Sequence, residues 1–135
     1  MLDSFIKKIN ILQIFFVSFI LRFLGLLFYK SQNLQDTSTY KRIGEEIFSG
    51  SIIQTPLHMP GYGIWMYILN YIMQNSYGVI FGDILISCLT VYVIYLLSME
   101  IFKSEIIAKM TALIFAAYPF SIFYSINAVS ETLFV

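Results

Sequence analysis

The stretch INILQIFFVSFILRFLGLLFY at residues 9–29 decides the class of this protein. As an α-helix with a rise of about 1.5 Å per residue it spans roughly 30 Å, the thickness of the hydrocarbon core of a bilayer. A cleaved signal peptide is the competing interpretation. It fits poorly, because the stretch is long, contains Arg22 and lacks a small-residue cleavage site. We therefore predict a retained first transmembrane helix.

Composition also indicates an integral membrane protein. Of the 135 residues, 59% are hydrophobic and 12% are charged, about half the charge usual in soluble domains. Eight basic residues balance eight acidic ones, so no nucleic-acid surface is predicted. The single Cys88 excludes an internal disulfide and is expected to be a packing residue, and the single His58 leaves no histidine pair for a metal. No metal site or cofactor is identified.

Two further apolar runs, at residues 79–102 and 106–124, have the length of membrane helices. Pro119 is expected to kink or end the second of them. Residues 125–131 are predicted to form a short surface segment, after which another apolar run begins. Lys7 and Lys8 favour a cytoplasmic N-terminus, but the loop charges support a four-span topology equally well, so both counts stay open.

The loop at residues 30–78, whose first half to Pro60 is the most polar part of the chain, is predicted to hold two short helices. In the first, apolar residues recur at helical spacing and form a stripe on one face. The stripe consists of Tyr40, Ile43, Gly44, Ile47 and Phe48. The opposite face is charged and includes Glu45 and Glu46. The second, at 62–73, would span only about 18 Å and is rich in Tyr and Trp, which are typical of the membrane boundary. The sequence thus predicts an all-α integral membrane protein with about three transmembrane helices and two juxtamembrane helices.

Five short motifs occur along the chain: DTSTY at 36–40, HMPGY at 58–62, YLLSMEIF at 95–102, AAYP at 116–119 and SETLF at 130–134. Their order resembles the N-terminal part of the GT-C superfamily of glycosyltransferases, which includes protein O-mannosyltransferase and aminoarabinose-transferase-like enzymes. The resemblance covers nearly the whole chain. It implies a polytopic enzyme that moves a sugar, a mannose-like hexose or a pentose, from a polyprenyl-phosphate donor to an acceptor on the outer face.

The resemblance also implies roles for individual residues. Asp36 takes the place of the acidic residue that serves as catalytic base, although many members have a second acidic residue where this chain has Thr37. His58 and Tyr62 match a substrate-binding motif, and Glu131 matches an acidic position at the outer end of a later span. A base of this kind deprotonates or orients the acceptor hydroxyl, and donor groups stabilise the departing lipid phosphate.

Arg22 is the candidate for a contact with that phosphate, and each candidate also has a structural alternative. Asp36 could be the N-cap of a helix over 37–48. Arg22 could reach the membrane surface with its long side chain or bond within the bundle. His58 could be an ordinary loop histidine, and Glu131 could be solvated. Asp83, near the start of a span, is expected at the membrane interface, and Tyr62 could be an interfacial anchor.

The resemblance therefore implies a glycosyltransferase in the plasma membrane, with the first loop outside. Its partners would be a lipid-linked sugar donor, membrane lipids, and an acceptor glycan, lipid or protein, with the metal requirement open. We expect the 135 residues to be the N-terminal portion of a longer protein, inactive alone, because three spans cannot enclose donor and acceptor sites. The alternative is a small non-catalytic membrane protein, such as an accessory subunit of a lipid-sugar flippase. A transporter fragment is the third alternative, and it would need several polar residues deep within the membrane.

Overall fold

The computed structural model describes residues 6, 8–28, 35–52, 60–75 and 77–134, and every regular element within these ranges is an α-helix. In chain order the helices are α1 (Ile11–Phe28), α2 (Gln35–Ser49), α3 (Pro60–Met73), α4 (Tyr77–Phe102), α5 (Glu105–Ala116), α6 (Pro119–Ile126) and α7 (Glu131–Phe134). The predicted all-α class is confirmed for the described part of the chain.

Two helices, α1 and α4, are long and apolar enough to cross a membrane. The α5–α6 pair becomes a third candidate if it counts as one span, and its two halves are bent by 51° at the break before Pro119. Proline lacks the N–H group that would continue the helical hydrogen bonds, so a bend is expected there. The prediction that Pro119 interrupts the apolar run is confirmed.

The contacts of α1 fix the direction of the other long helices. Ile14, near its start, packs with Val91 and Ala116, and Ser18, one turn later, contacts Cys88. Residue numbers therefore rise along α1 while they fall along α4, so the two helices are antiparallel, and α5 with α6 runs parallel to α1. Alanines on α5 let its backbone approach closely, as small residues do between membrane helices.

The two short helices α2 and α3 pack against each other through glycines. A Cβ atom on Gly44 would lie 2.4 Å from the carbonyl oxygen of Gly63, so only glycine permits this crossing. Tyr40 and Ile43 of α2 are buried, and Phe48 stacks on Tyr67 with ring centroids 4.2 Å apart. The apolar stripe that the sequence predicts on α2 thus packs on α3.

The predicted surface segment at 125–131 is wrong for its first part, because residues 125–129 are buried. Its polar side chains bond locally: Ser125 Oγ donates to the Ile122 carbonyl at 2.8 Å, and Asn127 Nδ2 donates to the Phe123 carbonyl at 2.8 Å. Because these polar groups have acceptors within their own helical turn, burying them carries little desolvation penalty.

Candidate functional site

Asp83 is the centre of a buried polar cluster between α3 and α4. It lies in the second turn of α4 and is 0% exposed. The Tyr62 phenol donates to its Oδ2 at 2.6 Å, and the Trp65 indole N–H donates to its Oδ1 at 3.0 Å. Tyr62 and Trp65 are three residues apart on α3, so they share one helix face. This Asp83 cluster ties the juxtamembrane pair to a candidate span.

The Tyr62 side chain is held as a hydrogen-bond donor. Burial raises the pKa of its phenol, and the negative charge of Asp83 and the hydrogen bond to that carboxylate raise the pKa further. Glu131 adds a smaller effect in the same direction. A group whose ionised form is disfavoured in this way keeps its proton, so Tyr62 donates to Asp83 across the physiological pH range.

A second set of contacts joins α2 to the segment around α7. The Tyr40 ring packs edge-on against Tyr62 with centroids 5.1 Å apart, and its hydroxyl contacts Ser130 Oγ at 3.1 Å. Ser130 Oγ in turn donates to Glu131 Oε2 at 3.3 Å, and the Glu131 side chain is exposed. The first turns of α2, the start of α3 and α7 therefore meet at one end of the molecule, beside the first turns of α4.

The structure brings some of the predicted site residues together and leaves others apart. Asp36 is the second residue of α2, inside its first turn, so it is not the N-cap of a helix starting at 37; its side chain lies outside the described part. His58 also lies outside the described residues. Tyr62 and Glu131 come together at the α2–α3–α7 end, whereas Arg22 lies deeper in the bundle.

Arg22 bonds within the bundle and does not extend to the membrane surface, since it is 0% exposed. Nε donates to Ser87 Oγ and Nη2 to Ser121 Oγ, each at 2.8 Å. Nη1 donates to the Ala116 carbonyl at 3.2 Å and to both oxygens of Ser18. Within the described residues no carboxylate forms an ion pair with Arg22, so its partners are hydroxyl and carbonyl oxygens.

The helix break explains why a cation is buried there. Ala116 is the last residue of α5, and the carbonyls that end a helix lack N–H partners and carry a partial negative charge. Arginine side chains can donate to such carbonyls. Arg22 therefore caps the broken span and also bonds α1 to α4 and α6 through serine hydroxyls.

Sequence reasoning did not predict that Asp83 is fully buried, or that Tyr62 and Trp65 donate hydrogen bonds to it. The sequence did contain one indication of this buried contact, which is the position of Asp83 inside an apolar run. An acidic residue within an apolar run is costly at depth and is a candidate for a functional contact by default. Aromatic donors on a preceding short helix are suitable partners for such a carboxylate.

Comparison with protein-family models, curated proteins and solved structures finds no match to this chain. Its function is therefore inferred from the geometry above and from the order of the sequence motifs.

Proposed function

We propose that this chain is the N-terminal membrane portion of a GT-C-type glycosyltransferase. In this proposal a sugar passes from a polyprenyl-phosphate donor to an acceptor at the end of the bundle formed by α2, α3 and α7. The observation that carries the proposal is the convergence there of residues far apart in sequence. Tyr62 and Glu131 meet through Tyr40 and Ser130, and Asp36 lies one helical turn before Tyr40 on α2.

The order of the helices supports the proposal. A candidate span, α1, is followed by two short helices that pack on each other, and then by a second candidate span, α4. This is the order that the resemblance implies, with two juxtamembrane helices in the first outer loop. We propose that this loop faces the outside of the plasma membrane, because Lys8 and Lys103 lie at the opposite end of the spans.

The proposed reaction is a single displacement at the anomeric carbon of the donor. The acceptor oxygen forms the new bond while its proton passes to the Asp36 carboxylate, and the bond from the anomeric carbon to the phosphate oxygen breaks. The electron pair leaves with the lipid phosphate. His58 is proposed to bind substrate, with Glu131 on the acceptor side. A substrate contact of Tyr62 stays a prediction, because its side chain is buried and its hydroxyl donates to Asp83. A contact between Arg22 and the donor phosphate would require its guanidinium to release some of the hydrogen bonds described above. This contact therefore stays a prediction.

The test uses membranes of the native host, where any remaining part of the protein is present. Transfer of radiolabelled mannose or pentose from polyprenyl phosphate is compared among wild type, Asp36→Asn and Glu45→Gln. Loss of a general base costs about 100-fold or more, so Asp36→Asn is expected to lose transfer at unchanged protein level. Glu45 is exposed on the same helix, and Glu45→Gln is expected to match wild type.

Undiminished transfer by Asp36→Asn would sink the assignment of the base. If deleting the gene leaves every such transfer intact, the glycosyltransferase proposal itself is wrong. The 135-residue chain purified alone is expected to be inactive, and sugar transfer by that preparation would overturn this expectation.

A non-catalytic membrane protein, such as an accessory subunit of a lipid-sugar flippase, is the second candidate. It is favoured by one observation: Arg22 and Asp83, both fully buried charged residues, have their hydrogen-bond partners inside the chain. This candidate predicts that the 135-residue chain is stable in membranes by itself and co-purifies in fixed ratio with another membrane protein.

A further inference from the structure

A polar cavity of about 260 Å³ lies at the end of the molecule opposite the Asp83 cluster. Its polar lining residues come from three parts of the chain that meet there: Lys8 and Asn10 before α1, Tyr95 of α4, and Glu105 and Lys109 of α5. We call it the lysine cavity. None of its residues belongs to the site discussed above.

The position of the lysine cavity along the spans points to the membrane surface. α1 begins at Ile11 and α4 ends at Phe102, and because these helices are antiparallel, both ends lie at the same level. The cavity opens beside these ends, where the apolar spans give way to charged residues such as Lys103 and Glu105. Lipid headgroups occupy this level, just beyond the hydrocarbon core.

The charges in the lysine cavity favour an anion. Lys109 is buried at 6% exposure, and its Nζ lies 2.8 Å from Glu105 Oε1, so these two charges compensate each other. Lys8 is exposed and gives the described lining residues one net positive charge. The Asn10 amide and the Tyr95 hydroxyl add neutral donors of the kind that bind phosphate oxygens. An anion with several oxygen acceptors fits this lining.

We propose that the lysine cavity binds the phosphate group of an anionic membrane lipid, with Lys8 as the residue that pairs with the phosphate. The place of the cavity beside the ends of α1 and α4 favours a lipid phosphate over phosphate from solution. The Lys109–Glu105 pair lines the site together with Lys8. The acyl chains run along the exposed apolar surface of α1, where Leu12 and Phe16 face outward. This site is independent of the proposed sugar transfer.

The experiment measures lipid binding by native mass spectrometry of the detergent-purified chain, titrated with phosphatidylglycerol or phosphatidylcholine. Lys8→Gln is compared with Lys103→Gln, which removes the same charge at the same end but outside the cavity, from an exposed pair with Glu100. Lys8→Arg tests rescue by charge. A lysine near a membrane surface contributes about 1 kcal/mol toward anionic lipid, so Lys8→Gln is expected to weaken phosphatidylglycerol binding about five-fold.

The expected pattern is a preference of the wild type for phosphatidylglycerol that Lys8→Gln lowers and that Lys103→Gln and Lys8→Arg keep. Equal losses in Lys8→Gln and Lys103→Gln would overturn the site, because they would indicate attraction to surface charge in general. Absence of any phosphatidylglycerol preference would also overturn it. Binding of inorganic phosphate that depends on Lys8 and excludes the lipid would contradict the lipid assignment.

Discussion

The guanidinium of Arg22 donates a hydrogen bond of 3.2 Å to the carbonyl oxygen of Ala116, the residue that ends α5 just before the break at Pro119. One side chain from the first candidate span thus satisfies the backbone of another where proline interrupts it. In a bilayer no water is present to bond such a carbonyl, so an internal donor is required. The cost of burying the cation is offset by its several oxygen acceptors.

This arrangement predicts that Arg22→Lys destabilises the protein. Lysine keeps the charge but lacks the planar set of five N–H donors, so it cannot reach Ser87, Ser121 and Ala116 together. Hydrogen bonds from charged groups contribute about 1.5–3 kcal/mol each, and we expect a loss of roughly 2–4 kcal/mol in the free energy of unfolding. Thermal unfolding in detergent measures it, with Phe23→Leu on the exposed face of α1 as control. Equal midpoints for Arg22→Lys and wild type would contradict the capping role.

The protonated state of Tyr62 makes a second prediction. In the unfolded chain its phenol ionises at a pH of about 10, while its pKa in the folded protein is raised by burial and by Asp83. In denaturant, Tyr62→Phe should therefore reduce the alkaline change in phenolate absorbance by the share of one of the ten tyrosines. In the folded protein, wild type and Tyr62→Phe should show the same change in phenolate absorbance up to about pH 11, because Tyr62 stays protonated there.

The sign of the pH dependence follows from the same difference. The raised pKa in the folded state means that the unfolded chain loses the Tyr62 proton first as the pH rises. The free energy of unfolding should therefore fall above a pH of about 10, and less steeply in Tyr62→Phe. An equal slope in both proteins would show that the Tyr62 phenol ionises alike in the folded and unfolded states.

The elements that could be predicted from sequence are those whose signal is local. The apolar lengths of α1 and α4, the helical stripe of α2 and the break at Pro119 each depend on residues close together in the chain. These features are set by hydropathy, periodicity and the missing proline N–H.

The polar contacts could not be predicted because they join distant residues. Arg22 is separated from Ser121 by 99 positions, and Tyr62 from Asp83 by 21. Hydropathy places Asp83 near the start of an apolar run, but only the packing of α3 on α4 buries it. Likewise, the local bonds of Ser125 and Asn127 make an apparently polar segment suitable for burial.

The crossing of α2 and α3 predicts a sharp difference between two glycines. A methyl group on Gly44 would meet the Gly63 carbonyl oxygen at 2.4 Å, whereas one on Gly61 meets nothing within 4 Å. Gly44→Ala should lower the free energy of unfolding by about 1–3 kcal/mol, because the two backbones must move apart. Gly61→Ala should be neutral or stabilising by up to about 1 kcal/mol, since alanine favours the helix. Similar unfolding midpoints for both variants would argue against this close approach.

Asp83→Asn should disturb both the stability of the protein and the environment of Trp65, its single tryptophan. The carboxylate accepts from Tyr62 and Trp65 through its two oxygens, whereas an asparagine amide has one oxygen and one NH₂ group. One of the two buried donors would then face another donor, at a cost of about 1–3 kcal/mol.

The emission maximum of Trp65 and the unfolding midpoint in detergent measure these effects. We expect a blue shift of the emission, because the indole N–H loses a charged acceptor, together with a lower midpoint. Glu100→Gln is the matched control, since it also removes one negative charge from α4 but at its exposed far end. If Asp83→Asn and Glu100→Gln leave the emission of Trp65 equally unchanged, the carboxylate does not hold the indole, and Tyr62 is the aromatic residue of α3 that bonds Asp83.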